Sequence, residues 1–378
     1  MNNGNSEFLA ALTQELIASR NNWYGRENHD FDRFGPYEPS TLDKTPGRLS
    51  GLFSGKAAVG SAVANEVSIQ SMAAICDPVA ELASCYDLLA DEYSKAILVK
   101  VLAYRLLGQR KVKLPLNNAS YWSQRERIQS LMKSSDTIRV DFPKLALNHL
   151  DLGEIGYPIE LYFAPAGVMA TFVLKQYEYG KRNPAIKAQA GDCVIDAGGC
   201  WGDTALYFAH TVGAAGKVYT FEFLPDNLNI LEQNLQLNPQ LSKRIEVIPK
   251  ALWNTAGDVI NYCAYGPGTS LIPSLQQSEH RALQVSTISI DDFASEHKSP
   301  RIDYIKMDIE GSELAALKGA ERTIRASRPR LAISVYHSKD DFFSIPNYLR
   351  DLDLGYEFFL DHFTIYGEET VLFASAVS

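Results

Sequence analysis

Apolar positions change their spacing twice along the chain, and the changes divide it into three stretches. Between Ser6 and Leu107 they recur at helical intervals: a short helix is predicted over Ser6 to Ser19, and Leu82, Leu89, Ile97 and Val101 repeat through Pro78–Leu107 before Gly108, a plausible C-cap. Phe31 to Gly55, rich in Gly, Pro and Ser, interrupts them as a predicted loop. After Asp136 short β-like runs follow, Ile138 to Phe142 and Ile159 to Phe163, then a helical stretch from Val168 to Tyr179. From Gly191 strands and helices alternate: Cys193–Ala197, Thr204–Val212, Lys217–Phe223, Asp226–Leu237 and Ile245–Ile248. A hairpin-like excursion is predicted for Val259–Cys263 with Ser286–Ile290. Strand-helix order resumes with Asp303–Met307, Ser312–Ile324, Leu331–Tyr336 and a helix over Ile345–Leu352 started near Pro346, and a closing pair is expected from Tyr356–Leu360 with Thr370–Ala374.

That alternation predicts an α/β class with a parallel sheet covered by helices. The organisation expected is a mainly helical accessory region over 1–135, a connecting segment and lid over 136–190, and a doubly wound Rossmann-like domain over 191–378.

Composition narrows the partners. With 46% hydrophobic and 21% charged residues the chain suits a folded protein, and a formal charge of −9 argues against a phosphate-tracking surface, so nucleic acid is not expected. Cys76, Cys85, Cys193, Cys200 and Cys263 form no C-x-x-C pair and suggest neither a disulfide framework nor a zinc site. No stretch reaches the roughly 20 apolar residues that span a bilayer, and Met1–Arg20 lacks the pattern of a secretory leader. A cytoplasmic location is the expectation.

The chemistry-bearing signal is Val194-Ile195-Asp196-Ala197-Gly198-Gly199-Cys200-Trp201-Gly202-Asp203-Thr204, a buried strand that enters a glycine turn and then a helix. Such a turn marks a ligand at the carboxyl end of a strand. Gly198, Cys200 and Asp203 fail the three-glycine register of a dinucleotide fingerprint. Asp196 and Asp203 would repel a pyrophosphate and attract a cationic amino-acid group, as in S-adenosylmethionine. Glu222, closing the second strand, is placed to accept ribose hydroxyl hydrogen bonds, and Gly202, Thr204, Phe223 and Asn227 complete the expected cofactor site.

From Gly191 to Ala374 the chain resembles the FkbM family of class I methyltransferases. The resemblance rests on the turn above, on Phe221-Glu222-Phe223-Leu224-Pro225-Asp226-Asn227, on Asp303-Tyr304-Ile305-Lys306-Met307-Asp308-Ile309-Glu310-Gly311-Ser312-Glu313, and on Glu368-Glu369-Thr370-Val371-Leu372-Phe373-Ala374. It implies a seven-stranded sheet whose last strand is antiparallel, and methyl transfer from S-adenosylmethionine to hydroxyls of sugars, glycans or other natural products. The first 150 residues or so lie outside it.

Asp308 and Glu310 close the fourth predicted strand on the cofactor edge, where Asp308 can face donor or acceptor. The expected catalytic group is Asp308, Glu310 and His337, with His337 taking the hydroxyl proton and His362, in the turn between the last two strands, as the second candidate base. Asp308, Glu310 and Asp340 could supply oxygen ligands to Mg²⁺, although the reading favours a metal-free mechanism. Two other functions stay open: a non-catalytic module that binds the donor, and an NAD-dependent oxidoreductase.

Overall fold

The computed structural model describes residues 3–30, 35–39, 78–140, 145–264, 266–272, 282–297 and 301–376. The predicted loop from Phe31 to Gly55 therefore lies, apart from residues 35–39, outside the described residues. In chain order the elements begin with the helices α1 (Asn3–Ser19), α2 (Val79–Leu88), α3 (Glu92–Leu107) and α4 (Ala119–Ser130). The strands β1 (Met132–Arg139), β2 (Ala146–Asp151) and β3 (Glu160–Phe163) form a small antiparallel sheet. A helical turn, α5 (Pro165–Val168), continues as a π turn over Met169–Val173.

The larger sheet then builds from β4 (Cys193–Ala197), α6 (Asp203–Val212), β5 (Lys217–Phe221), α7 (Pro225–Leu237), α8 (Pro239–Ser242) and β6 (Ile245–Ile248). An excursion follows: β7 (Ala251–Leu252), β8 (Val259–Cys263), β9 (Ala282–Ile288) and α9 (Ile290–Glu296). The chain returns through β10 (Tyr304–Met307), α10 (Glu313–Lys318), α11 (Glu321–Ser327), β11 (Arg330–Ser334), α12 (Asp341–Asp351), β12 (Tyr356–His362) and β13 (Thr370–Ala376).

The seven strands lie in the order β12-β13-β11-β10-β4-β5-β6. Neighbours pair in parallel, except β13, which runs antiparallel to both β11 and β12. This is the Rossmann-like arrangement expected from the alternation, with the seven strands and antiparallel last strand that the resemblance implied. All four residues of β10 and the last four of both β4 and β11 are buried, as strands covered by helices on both faces require. The strand order reverses between β4 and β10, and a crevice opens above their carboxyl ends.

The N-terminal helices are less separate than an accessory region implies. Phe8, Leu82, Leu98 and Val101 belong to the same buried cluster as Ile195, Ile305 and Leu331 of the large sheet. The edge strand β12 is covered as well: the Ala90 N–H donates to the Phe358 carbonyl at 2.8 Å, and the Leu360 N–H to Ser94 Oγ at 2.9 Å. These contacts satisfy backbone groups that an open edge would present to other chains.

Several expected elements differ in extent for local reasons. The predicted 78–107 helix is two, because Leu89 bridges to Phe358 and Asp91 caps α3 by accepting the Ser94 N–H at 2.8 Å. α4 and β2 were not anticipated, and β1 starts well before Ile138 and ends at Arg139. The Val168–Tyr179 helix stops at Val173, just before Lys175 takes a left-handed φ of 54°. β9 gives way at Ser289, which caps α9. The 312–324 helix divides near Gly319, where a Cβ would come within 2.2 Å of the Trp253 carbonyl oxygen. α12 starts at Asp341 and carries Pro346 inside it. No helix among the described residues is long and apolar enough to cross a membrane.

Candidate active site

The glycine turn after β4 is shaped by close approach. Gly198, at φ +84°, sits so near β10 that a Cβ would fall 2.0 Å from the Asp308 carbonyl oxygen, and a Cβ on Gly199 would meet Thr220 Oγ1 at 2.1 Å. Gly202, at φ +88°, caps α6. Only glycine tolerates such combinations without displacing its neighbours.

Asp196 is fully buried behind this turn. Its carboxylate accepts hydrogen bonds from Thr204 Oγ1 at 2.9 and 3.0 Å and from Thr220 Oγ1 at 2.9 Å, and it pairs with Lys306 Nζ at 3.2 Å. Lys306 Nζ also donates to the carbonyls of Ala197 at 3.0 Å and Gly198 at 2.6 Å. Burial pulls the Lys306 ammonium down, but Asp196, Asp308 and Asp203 outweigh it and raise its pKa. One buried ion pair thus ties β4, β5, β10 and the turn together. Sequence reading quoted Lys306 but gave it no role.

Two chambers open on the carboxyl edge. The first is lined by Glu222, Phe223, Asn227, Leu252, Pro267 and Leu271, among others. Glu222 Oε1 accepts the N–H groups of Phe223 at 2.6 Å and Leu224 at 2.8 Å, and Oε2 the Asn227 side-chain amide at 3.0 Å. Asn227 also accepts the Trp201 indole N–H at 3.0 Å. Burial raises the Glu222 pKa against the opposing pull of these hydrogen bonds. Pro267 and Leu271, from the loop after β8, were missed because nothing in a polar loop sequence says where it folds back.

The second chamber, about 260 Å³, is lined by Cys200, Trp201, Asp203 and Thr204 on one side and by Tyr177, Tyr336 and Glu369 on another. Asp203 accepts from Thr171 Oγ1 at 2.7 Å, and burial pushes its pKa up to about 6. The connecting segment supplies Phe163, Gly167, Met169, Gln176 and Tyr177 to this wall, and α4 supplies Tyr121 and Arg125. Tyr179, included in the expected lid, instead donates to Asp91 at 2.6 Å, away from the chamber.

Gly198, Cys200, Pro267, Asp308 and Glu310 line both chambers. Asp308 accepts from Tyr177 Oη at 2.8 Å and Tyr336 Oη at 3.2 Å. Glu310 holds a left-handed φ of 55°, Cys200 one of 42° and Glu369 one of 68°. Such conformations in non-glycine residues collect at functional sites. Burial pushes Glu310 up to about 8 and Glu369 to about 7.

His337 lines neither chamber. It lies behind the junction, with Nε2 at 3.3 Å from Asp308 and 3.6 Å from Glu310 and Nδ1 at 3.0 Å from Glu313. Burial lowers its pKa, but Glu313, Glu310 and Asp308 outweigh that and hold it well above the ordinary imidazole value. A group so held is charged near neutral pH and is a poor proton acceptor. His362 ends β12 rather than occupying the turn; it is buried against Thr370 Oγ1 at 2.8 Å and the Tyr366 carbonyl at 2.7 Å, and burial lowers its pKa to about 3. Asp340 is exposed and apart from this cluster.

Comparison with known proteins accords with this architecture. Residues 186–358 match the family model described as the methyltransferase FkbM domain. Among solved structures, the FkbM methyltransferase from Methylobacillus flagellatus is similar with a TM-score of 0.50 and 21% identity, over 80% of this chain and 60% of that one. The chain thus spans about 60% of the length of that protein. Fibrillarin from Aeropyrum pernix, solved with S-adenosyl-L-methionine, aligns at 12% identity and a TM-score of 0.35 over 64% of this chain and 98% of that one. An O-methyltransferase from Bacillus cereus in complex with S-adenosylhomocysteine gives 11% and 0.33 over 68% and 92%. No curated protein matches the sequence. On the sheet order, the glycine turn and this match, the chain has the Rossmann-like class I methyltransferase fold, and its residues 186–358 are similar to the methyltransferase FkbM domain.

Proposed function

We propose that the chain transfers the methyl group of S-adenosylmethionine to a hydroxyl of a sugar, glycan or other natural product. The observation that carries this reading is the meeting of two chambers at Asp308 and Glu310, on the edge where the glycine turn lies. The nucleoside of the donor occupies the first chamber, its ribose hydroxyls facing Glu222. The methionine end passes over Cys200 toward Asp203, whose carboxylate suits an ammonium group. The acceptor fills the rest of the second chamber, between Tyr177, Tyr336 and Glu369. There the acceptor oxygen forms a bond to the methyl carbon as the carbon–sulfur bond breaks, the sulfonium becomes a thioether, and the hydroxyl proton passes to the Asp308/Glu310 carboxylate pair. In this assignment His337 is a positioning residue for that pair. The free thiols Cys85 and Cys200 suit a cytoplasmic location.

Calorimetric titration with S-adenosylhomocysteine tests the donor site. Glu222→Ala is expected to weaken binding by about 1.5–3 kcal/mol, the usual loss for hydrogen bonds to a charged group. Unchanged affinity in a variant that melts like the parent removes Glu222 from the site. NAD in the same titration should bind no better than buffer; saturable NAD binding would favour an oxidoreductase.

The wall from Pro165 to Tyr177 is expected to act as the lid. Its amides should exchange more slowly once S-adenosylhomocysteine is added, because Thr171 and Tyr177 contact Asp203 and Asp308. Equal protection with and without ligand would make the wall a fixed packing element.

A further inference from the structure

Behind the junction of the two chambers, three side chains from two stretches of the chain come together: Asp308 and Glu313 from the segment that joins β10 to α10, and His337 after β11. One ligand atom from each lies within 4.8 Å of the others. Glu313 is fully buried and the His337 side chain is 6% exposed. An acidic cluster alone says little, since carboxylates often gather at a functional edge. A second feature sets this one apart. His337 has both ring nitrogens buried and at contact distance from carboxylates, yet neither contact meets the full geometry of a hydrogen bond, and Glu313 Oε2 has no hydrogen-bond partner either.

Unsatisfied buried polar atoms are costly, and native structures keep few without a reason. A single ion would satisfy Glu313 Oε2 together with one of the two imidazole nitrogens. Ligands around an ion point their lone pairs at the ion and not at each other, so adjacent ligand atoms approach closely along directions unsuited to hydrogen bonding. With each ligand about 2.1 Å from a metal, atoms across the coordination sphere stand at most roughly 4.2 Å apart. The cluster needs to contract by only about half an ångström to reach that. Charge points the same way: Asp308, Glu310, Glu313, Asp341 and Glu369 surround one imidazole.

We propose that Asp308, Glu313 and His337 form a binding site for a single divalent first-row transition-metal ion. The set is one imidazole nitrogen and two carboxylates, which suits Mn²⁺ and its neighbours better than Mg²⁺, a cation that prefers oxygen and retains its waters. The set differs from Asp308, Glu310 and Asp340, the oxygen ligands that the sequence offered for Mg²⁺ as the alternative to a metal-free mechanism, because Asp340 is exposed while Glu313 is buried. Glu313 Oε1 accepts the Ile309 N–H at 2.8 Å, which fixes the carboxylate and leaves Oε2 for the ion. Asp308 lines both chambers while Glu313 and His337 lie behind it, so an ion there would act on the acceptor through Asp308, fixing that carboxylate while Glu310 receives the proton. The site deepens the proposed methyl transfer, but metal binding itself is independent of acceptor or donor.

The test is a titration of the chelator-stripped full chain with Mn²⁺, following the free ion by electron paramagnetic resonance. The expected result is saturation at one Mn²⁺ per chain, at least tenfold tighter than Mg²⁺ measured by competition. Glu313→Gln and His337→Asn should each weaken Mn²⁺ binding tenfold or more, whereas Asp340→Asn should leave it unchanged. Pulsed measurements on bound Mn²⁺ should show coupling to an imidazole nitrogen that His337→Asn abolishes. Thermal melting and S-adenosylhomocysteine affinity verify that each variant is folded, and if Glu313→Gln is not, His337→Asn and the nitrogen coupling decide. Absence of stoichiometric Mn²⁺, binding indifferent to both substitutions, or bound Mn²⁺ without nitrogen coupling overturns the site. Failure of S-adenosylhomocysteine to bind while Mn²⁺ still does would sink the donor reading and leave the metal site standing.

Discussion

Lys306→Met is expected to destabilise the chain by roughly 3–5 kcal/mol, the cost of breaking a buried ion pair by removing one partner. Asp196 would remain fully buried with its charge uncompensated, and the carbonyls of Ala197 and Gly198 would lose the ammonium that bonds both. Methionine fills most of the volume of the lysine stem, so the loss reports charge and hydrogen bonding rather than a cavity. Because a loss of this size rivals the whole stability of many domains, denaturant unfolding should be measured at low temperature against the parent chain. Lys306→Met with Asp196→Asn should recover part of the loss, since the remaining amide is neutral and still bonds Thr204 and Thr220. A single variant less than about 1 kcal/mol weaker than the parent would mean that Lys306 is not the fastening point of the turn.

That ion pair also marks where the sequence could be read and where it could not. The glycine turn, the strand alternation and the acids closing β5 and β10 were legible because each follows from local rules: period, turn chemistry, and charge beside a strand end. Asp196 looked the same as Glu222 by those rules. The difference is one of depth, as Asp196 sits below the turn against Lys306 while Glu222 stands at the rim of a chamber, and depth is set by packing across β4, β5 and β10. His337 illustrates the same limit: its place after β11 was apparent, yet three carboxylates converging on it from the segment after β10 decide its charge. Tyr177, Tyr336 and Glu369 reach the second chamber from the connecting segment, the end of β11 and the start of β13, and no local pattern joins them. α4 was hidden because its mean hydropathy is polar while Tyr121, Arg125 and Ile128 carry its buried face.

Asp308→Asn is expected to lower methyl transfer by roughly 100-fold or more while leaving S-adenosylhomocysteine binding within a few-fold of the parent, the range typical for losing a positioned acid–base group. Asparagine matches the aspartate in shape and can still accept a hydrogen bond from Tyr177 or Tyr336, so the change removes charge with little change of form. The contact that shapes the turn is made by the Asp308 backbone carbonyl against Gly198 and survives the substitution. Whether Asp308 receives the hydroxyl proton itself or is held by an ion behind it, its negative charge is required at the same point. His337→Asn should also slow transfer, and because His337 acts through Asp308, the double variant should be little slower than Asp308→Asn alone. Tyr336→Phe, which removes one hydroxyl from the carboxylate, should cost less. The acceptor must first be found by screening sugar nucleotides and glycans for methyl uptake from labelled S-adenosylmethionine. With that acceptor in hand, an Asp308→Asn enzyme at full turnover would move the chemistry to Glu310 or Glu369. An equal loss of donor affinity would make Asp308 a binding residue instead.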